Sequence, residues 1–258
     1  MVNKIPKYDK IMKTNKFIVI VPVYNAELYI EKCLESILVQ DYGNYDLVVI
    51  DDCSTDNTYE IVKRIHDKYN NKFICRQNQV RRGSQLAAFS KGIEIISKDD
   101  EDIIVTVDGD DWLSDNGVLS YLNQIYQDEN IYMSYGQYEP VSKKYFNYCK
   151  QVHDFRNYRK SAKWVTSHLR TFKRKIWNLI DDADMRDVDG EYYKFCGDNV
   201  LMYPLLEMCG EKHTKFINKV LYIYNDMNPI SEMYIYQKEQ ARVVDIIKNK
   251  KEYKELDT

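Results

Sequence analysis

The stretch FIVIVPVYNAELYIEKCLESILVQDYGNYDLVVIDDCSTDNT, residues 17–58, decides the fold. Phe17-Ile18-Val19-Ile20-Val21 is a continuous apolar run rich in β-branched residues, the pattern of a strand covered on both faces, and it stops at Pro22. From Ala26 the apolar positions Ile30, Cys33, Leu34, Ile37 and Leu38 recur at helical spacing, with Glu27, Glu31, Lys32 and Glu35 on the other side. Asp41-Tyr42-Gly43-Asn44 is a turn, and Leu47-Val48-Val49-Ile50 is a second buried strand running straight into Asp51-Asp52. Ser54 or Asp56 then caps a helix carrying Ile61, Val62 and Ile65.

Outward from this unit the alternation continues. Residues 73–75 read as a third strand, 83–97 as a helix opened by Gly83-Ser84, and 103–107 as a fourth strand ending on acidic residues. The order βαβαβαβ predicts an α/β fold with right-handed crossovers and a mostly parallel, Rossmann-like sheet flanked by helices. Ligands in such sheets sit at the carboxyl ends of the strands, where this chain carries Tyr24, Asp51, Asp52, Asp108, Asp110 and Asp111. A helix over 118–127 and a strand over 131–135 follow. Between 139 and 190 the pattern loosens, with helices predicted at 161–168 and 173–181. A tighter segment returns at 198–209, then the apolar pieces 216–217 and 220–224, and a tail of helical composition from about 232.

Composition limits the function. With 258 residues, 44% of them hydrophobic and 30% charged, the chain has a globular balance. Its net charge of -3 gives no basic field to recruit nucleic acid, so no nucleic-acid partner is expected. FIVIVPV at 17–23 falls far short of the roughly 20 residues that span a bilayer, and the N-terminus has no signal-peptide core, so a soluble cytoplasmic protein without a transmembrane segment is expected. The six cysteines show no metal-ligand spacing and read as thiols in a reducing compartment. The 23 tyrosines, with abundant Lys, Asn and Ile, fit an AT-rich coding sequence.

The sharpest chemical signal is Val107-Asp108-Gly109-Asp110-Asp111-Trp112 at a strand end. Three carboxylates in four positions repel one another unless a cation neutralises them, and hard divalent ions take carboxylate oxygens, so Mg²⁺ or Mn²⁺ is expected. Asp51-Asp52 repeats the arrangement, and with Pro22-Val23-Tyr24-Asn25 it suggests a nucleotide cradle in which Tyr24 stacks on a base. Neither GxGxxG nor GxxxxGK[ST] occurs, so the usual backbone-amide phosphate cradles are missing.

These segments, with the Gly83 helix and VDGDDW at 107–112, resemble glycosyltransferase family 2, whose members have the GT-A fold; the likeness is strong over 17–115 and looser to about 230. The resemblance implies inverting transfer of a sugar, usually from a UDP-linked donor, to a glycan or protein acceptor. On the family's pattern Pro22, Tyr24 and Asp52 hold the uracil, Arg82 lies beside the nucleotide, Asp108 serves the ribose or metal shell, and Asp110 ligates the metal, with Asp108 and His213 as further candidate ligands. Asp198 in Phe195-Cys196-Gly197-Asp198-Asn199 matches the family's general base, although the usual preceding Glu is Gly197 here, and Cys53 stands where Gly is usual. An Asp opening a helix also suits an N-cap. Trp112, His168 and Arg170 are candidates for acceptor contacts.

The expected organisation is a flexible leader at 1–15 and a single domain over 16–258, with a nucleotide-sugar-binding half at 16–136, an acceptor-binding half at 137–230 and a helical tail at 231–258. Two alternatives remain at this point. One is a catalytically degenerate protein that binds nucleotide-sugar or glycan. The other is a phosphatase with Asp108 as nucleophile, for which Trp112 stands where Thr or Val is wanted and the upstream motifs have no purpose.

Overall fold

A computed structural model describes residues 12–146, 148–161, 163–230 and 236–257. The opening unit folds as its pattern requires: β1 (Phe17–Val23), α1 (Ile30–Leu38), β2 (Tyr45–Asp51), α2 (Thr58–Lys68), β3 (Ile74–Gln77), α3 (Gln85–Ile96) and β4 (Ile103–Thr106). A two-residue strand β5 (Trp112–Leu113) follows, then α4 (Val118–Ile125), β6 (Met133–Pro140), β7 (Ser167–Lys173), the single turn α5 (Arg174–Trp177), α6 (Gly197–His213), β8 (Thr214–Tyr224) and α7 (Gln237–Lys248).

The eight strands form one sheet in the order β3-β2-β1-β4-β7-β6-β8-β5. β3, β2, β1 and β4 are parallel, β7 is antiparallel to both its neighbours, and β6 pairs parallel with β8. Successive β1 side chains alternate between two cores. Phe17, Val19 and Val21 pack with α1, α2 and α4, while Ile18 and Ile20 pack with α3, α5 and α6. Burial on both faces explains why β1, β2 and β4 lack polar alternation.

Three expectations are corrected. The helix predicted over 161–168 does not form in the described residues there; β7 begins at Ser167. All seven residues of β7 are buried although five are polar, so the strand carries no apolar pattern to betray it. The helix predicted over 173–181 shrinks to the turn α5. Of the leader, residues 1–11 lie outside the described residues, but Asn15 is buried and its backbone and side-chain N–H groups donate to Asn123 Oδ1 at 3.0 and 2.9 Å.

The tail packs back on the domain. Val243 and Ile247 of α7 join the α3/α6 core. Glu207 Oε2 accepts from the Tyr253 backbone N–H at 2.9 Å, and Met208 O from the Leu256 N–H at 2.9 Å.

Candidate active site

The parallel strands deliver their carboxyl ends to one edge of the sheet, and a crevice of about 860 Å³ opens there. Pro22, Tyr24, Asp52, Asp108, Asp110, His168, Arg170 and Asp198 all line it, so eight positions singled out from sequence come together. Asp108 and Asp110 follow β4, His168 and Arg170 project from β7, and Asp198 stands in the first turn of α6.

The β4 end turns sharply beside β1. Gly109 N–H donates to Pro22 O at 3.1 Å, and a Cβ on Gly109 would lie 2.6 Å from Val23 Cγ2, so only glycine lets the acidic loop approach the β1 end this closely. Asp108 Oδ1 accepts from Gln85 Nε2 at 3.1 Å, and Asp110 Oδ2 from Asn228 Nδ2 at 2.7 Å. Asp111 Oδ1 accepts from the Asn225 N–H at 2.7 Å, while its buried Oδ2 has no hydrogen-bond partner.

Burial raises the affinity of all three carboxyls for protons. Asp108 is pushed up to about 7, chiefly by desolvation, with Arg170 opposing and Asp110 and Asp198 adding to it. Burial also raises Asp110 and holds Asp111 well above the ordinary range. His168 is pulled well below its ordinary value by burial and by Arg170. Asp108, Asp111 and His168 each bring a ligand atom within 4.8 Å of one another. Compressed carboxylates, an unpaired Asp111 oxygen and an unprotonated imidazole fit a divalent cation, which would relieve the repulsion that burial creates.

Arg170 links the acidic loop to α6. One terminal nitrogen lies 3.3 Å from Asp198 Oδ2 and 3.3 Å from His168 Nε2, and His168 Nε2 lies 4.0 Å from Asp108 Oδ2. Asp198 is not the helix cap: Cys196 occupies that position, without a side-chain cap, and Asp198 Oδ1 accepts from the next residue's N–H at 2.9 Å. α6 contains Pro204 within its helical run and breaks at Gly210, whose φ is 54°.

At the other end of the crevice Asp52 organises the loop before α3. Its Oδ1 accepts from Asn78 Nδ2 and from the Arg82 N–H, both at 2.8 Å, and its Oδ2 from the Gly83 N–H at 2.6 Å. Cys53 adopts φ 65°, the left-handed conformation that explains why glycine suits this position. Arg81, which sequence reasoning passed over, stacks its guanidinium 3.8 Å above the Tyr24 ring.

Three predicted site residues lie elsewhere. The Arg82 side chain faces a neighbouring recess with Lys91, Glu94 and Arg186, and only its backbone reaches Asp52. Trp112 does not line the crevice; β5 pairs it with Ile223, and Lys32 Nζ sits 3.5 Å over its ring. His213 ends α6, beyond the break at Gly210, and does not line the crevice. It stacks on Tyr132 at 4.1 Å with Nδ1 2.6 Å from Asn130 O. Asn228, Gln85 and Trp164 line the crevice and went unnoticed; Asn228 alone had a signal, an Asn-rich turn after a buried strand.

A curled, mostly parallel α/β sheet with acidic strand ends around one crevice defines a GT-A glycosyltransferase. Residues 18–186 match Glycosyl transferase family 2, and the chain belongs to that family. Among curated relatives, the poly(ribitol-phosphate) β-N-acetylglucosaminyltransferase TarS of Staphylococcus aureus is 37% identical over 101 residues, which cover 38% of this chain but only 17% of TarS. Glycosyltransferase GlyG of Streptococcus pneumoniae is 29% identical over 231 residues, 80% of this chain and 69% of GlyG. The fold matches S. aureus TarS 1–349 in complex with UDP-GlcNAc at TM-score 0.67 and 18% identity, covering 90% of this chain and 66% of that one. It also matches the mannosyltransferase PcManGT of Pyrobaculum calidifontis in complex with GDP-Man and Mn²⁺, at TM-score 0.64 and 19% identity over 93% of this chain and 66% of that one. The phosphatase alternative is set aside by this membership. No helix among the described residues is long and apolar enough to cross a membrane.

Proposed function

We propose that the enzyme is a metal-dependent inverting hexosyltransferase that takes its sugar from a UDP-linked donor and places it on a hydroxyl of a glycan or protein acceptor. The observation that carries this reading is the meeting, in one crevice, of the carboxylates after β4 with Asp198 of α6, joined through Arg170. Pro22, Tyr24 and Asp52 suit the uracil end, with Arg81 beside the base.

Asp108, Asp111 and His168 would hold Mn²⁺ or Mg²⁺, with Asp110 beside them in the crevice; a bound cation supplies neutralisation of the charge that develops on the leaving diphosphate. Inversion requires the acceptor hydroxyl to approach the anomeric carbon opposite the diphosphate, with a base in reach of its proton. Asp198 is that base: its carboxylate is a quarter to a third exposed, lines the crevice and is oriented by Arg170. Binding of the nucleotide fixes the donor, so that the encounter becomes effectively unimolecular.

A panel of UDP-, GDP- and dTDP-sugars, with Mn²⁺ or with EDTA, tests the proposal by thermal shift and nucleotide release. Metal-dependent stabilisation by one UDP-sugar, with slow release of UDP, is expected. Stabilisation only by a GDP-sugar, as the PcManGT complex would suggest, replaces the donor; stabilisation by none overturns the reading.

A further inference from the structure

The crevice that holds Asp198 is also lined by residues not assigned to the donor. Its floor is aromatic: Trp164 and Tyr203 meet edge to face at 5.6 Å, and both line the cavity. Its far wall is α7, whose lining residues Gln237, Gln240, Ala241 and Val244 fall at i, i+3, i+4 and i+7, a single helical stripe. The helix's own acidic groups, Glu239 and Asp245, lie off this stripe. Lys248 extends the stripe, but its Nζ donates to Ser161 O at 2.7 Å. The surface is therefore aromatic below and amide-bearing at the side, with Lys248 as the cation of the stripe.

Position gives this surface its direction. Tyr203 stands five residues beyond Asp198 on α6, about 7.5 Å along the helix, a little more than the length of one pyranose ring. In an in-line displacement the acceptor lies on the far side of the anomeric carbon from the diphosphate, so a group whose hydroxyl meets Asp198 extends toward Tyr203 and Trp164. A pyranose offers an apolar C–H face to an aromatic floor and a rim of hydroxyls to side-chain amides, which suits a pocket of mostly apolar lining with a few polar groups.

We propose that Trp164, Tyr203 and the α7 stripe form the acceptor subsite, and that its ligand is the terminal ring of a neutral saccharide. The proposal rests on the glycosyltransferase reading of Asp198 and names the acceptor class that reading leaves open. Trp164 stacks on the ring, Gln237 and Gln240 take its hydroxyls, and Ala241 leaves the room it occupies. An anionic polymer finds on this stripe the single cation Lys248, whose Nζ is already turned to Ser161 O.

The test uses the whole protein with the UDP-sugar and metal that stabilise it. Nucleotide release is measured with oligosaccharides ending in glucose, galactose, mannose or N-acetylglucosamine, with Ser/Thr peptides, and with a polymer of ribitol phosphate. A neutral saccharide is expected to accelerate release. Trp164→Ala and Ala241→Trp should each raise its KM tenfold or more with kcat changed less than about threefold, their melting curves checking that they fold. Ala241 is exposed on α7, so Ala241→Trp carries the test even where Trp164→Ala misfolds. Acceleration only by peptide or by the phosphate polymer, acceleration by no saccharide, or an unchanged KM in the folded variants overturns the subsite. Absence of donor stabilisation is a separate result that sinks the underlying reading, and the subsite with it.

Discussion

Replacing Arg159 with Met should destabilise the protein strongly although the residue does not line the crevice. Arg159 is 2% exposed and Glu207 7% exposed, and the two are joined by paired hydrogen bonds of 2.6 Å each. A third Arg159 nitrogen donates to Ile247 O of α7 at 3.1 Å, and Glu207 also accepts from the Tyr253 N–H. Met fills much of the volume but leaves a buried carboxylate with only that backbone donor. Removing one partner of a buried pair costs about 3–5 kcal/mol, because the remaining charge stays desolvated. At about 2–4 °C per kcal/mol for a chain of this size, the melting temperature should fall by roughly 6–20 °C. Arg159→Met/Glu207→Leu removes both charges and should recover roughly a third to three-fifths of the loss. The remainder, on the order of 1 kcal/mol for each backbone group left unpaired, comes from Ile247 O and Tyr253 N–H. Circular dichroism melting of the parent, both single variants and the double variant forms the cycle. A drop under about 3 °C in Arg159→Met, or a double variant no more stable than the worse single one, would refute the argument that this pair is strongly coupled.

Three further outcomes follow from the site. Asp198→Asn should lower kcat about 10²–10⁴-fold, as loss of a general base does, while UDP-dependent thermal stabilisation persists; Asp110→Asn should lose both. In EDTA, Asp108→Asn should gain on the parent as pH rises. With its folded pKa raised to about 7, Asp108 binds its proton more tightly in the folded state, so its stabilising contribution is complete below about pH 4 and is lost as pH rises through 7. The depressed His168 acts oppositely, costing stability as pH falls below about 6.5, so the difference between variant and parent is the quantity to plot from pH 4 to 8. A flat difference would remove Asp108 as a strained carboxyl, and Mn²⁺ should reverse the variant's advantage. Gly109→Ala should overpack the β1 end by about 1–3 kcal/mol and weaken donor binding with it, measured by UDP titration.

How far the sequence could be read depended on whether a residue's partner lay nearby in the chain. β1, β2 and β4 were legible because both faces are covered, which leaves an unbroken apolar run that needs no knowledge of the third dimension. The carboxylates that end those strands were legible for the same reason, since strand direction alone puts them at one edge. β7 was hidden because it sits mid-sheet with polar side chains whose partners are distant: Thr171 bonds Tyr126, and Lys173 reaches Glu101 across 72 positions. His168 and Arg170 were singled out as chemical groups yet assigned to the wrong local structure, as polar residues in a buried strand defeat a periodicity argument. The same reasoning separates the two tryptophans. Trp112 looked apt because it adjoins Asp111 in sequence, but the antiparallel β5/β8 pairing turns it toward Lys32. Trp164 had no sequence neighbour to recommend it, and it enters the crevice only because the chain returns through β7 beside β4. The wall opposite it depends on contacts longer still. α7 offers Val243 and Ile247 to the core, and its placement is completed by the Arg159–Glu207 pair, 48 positions apart. The strand-end side of the crevice therefore rests on residues that local pattern reveals, whereas the side lined by Trp164 and α7 rests on tertiary pairings.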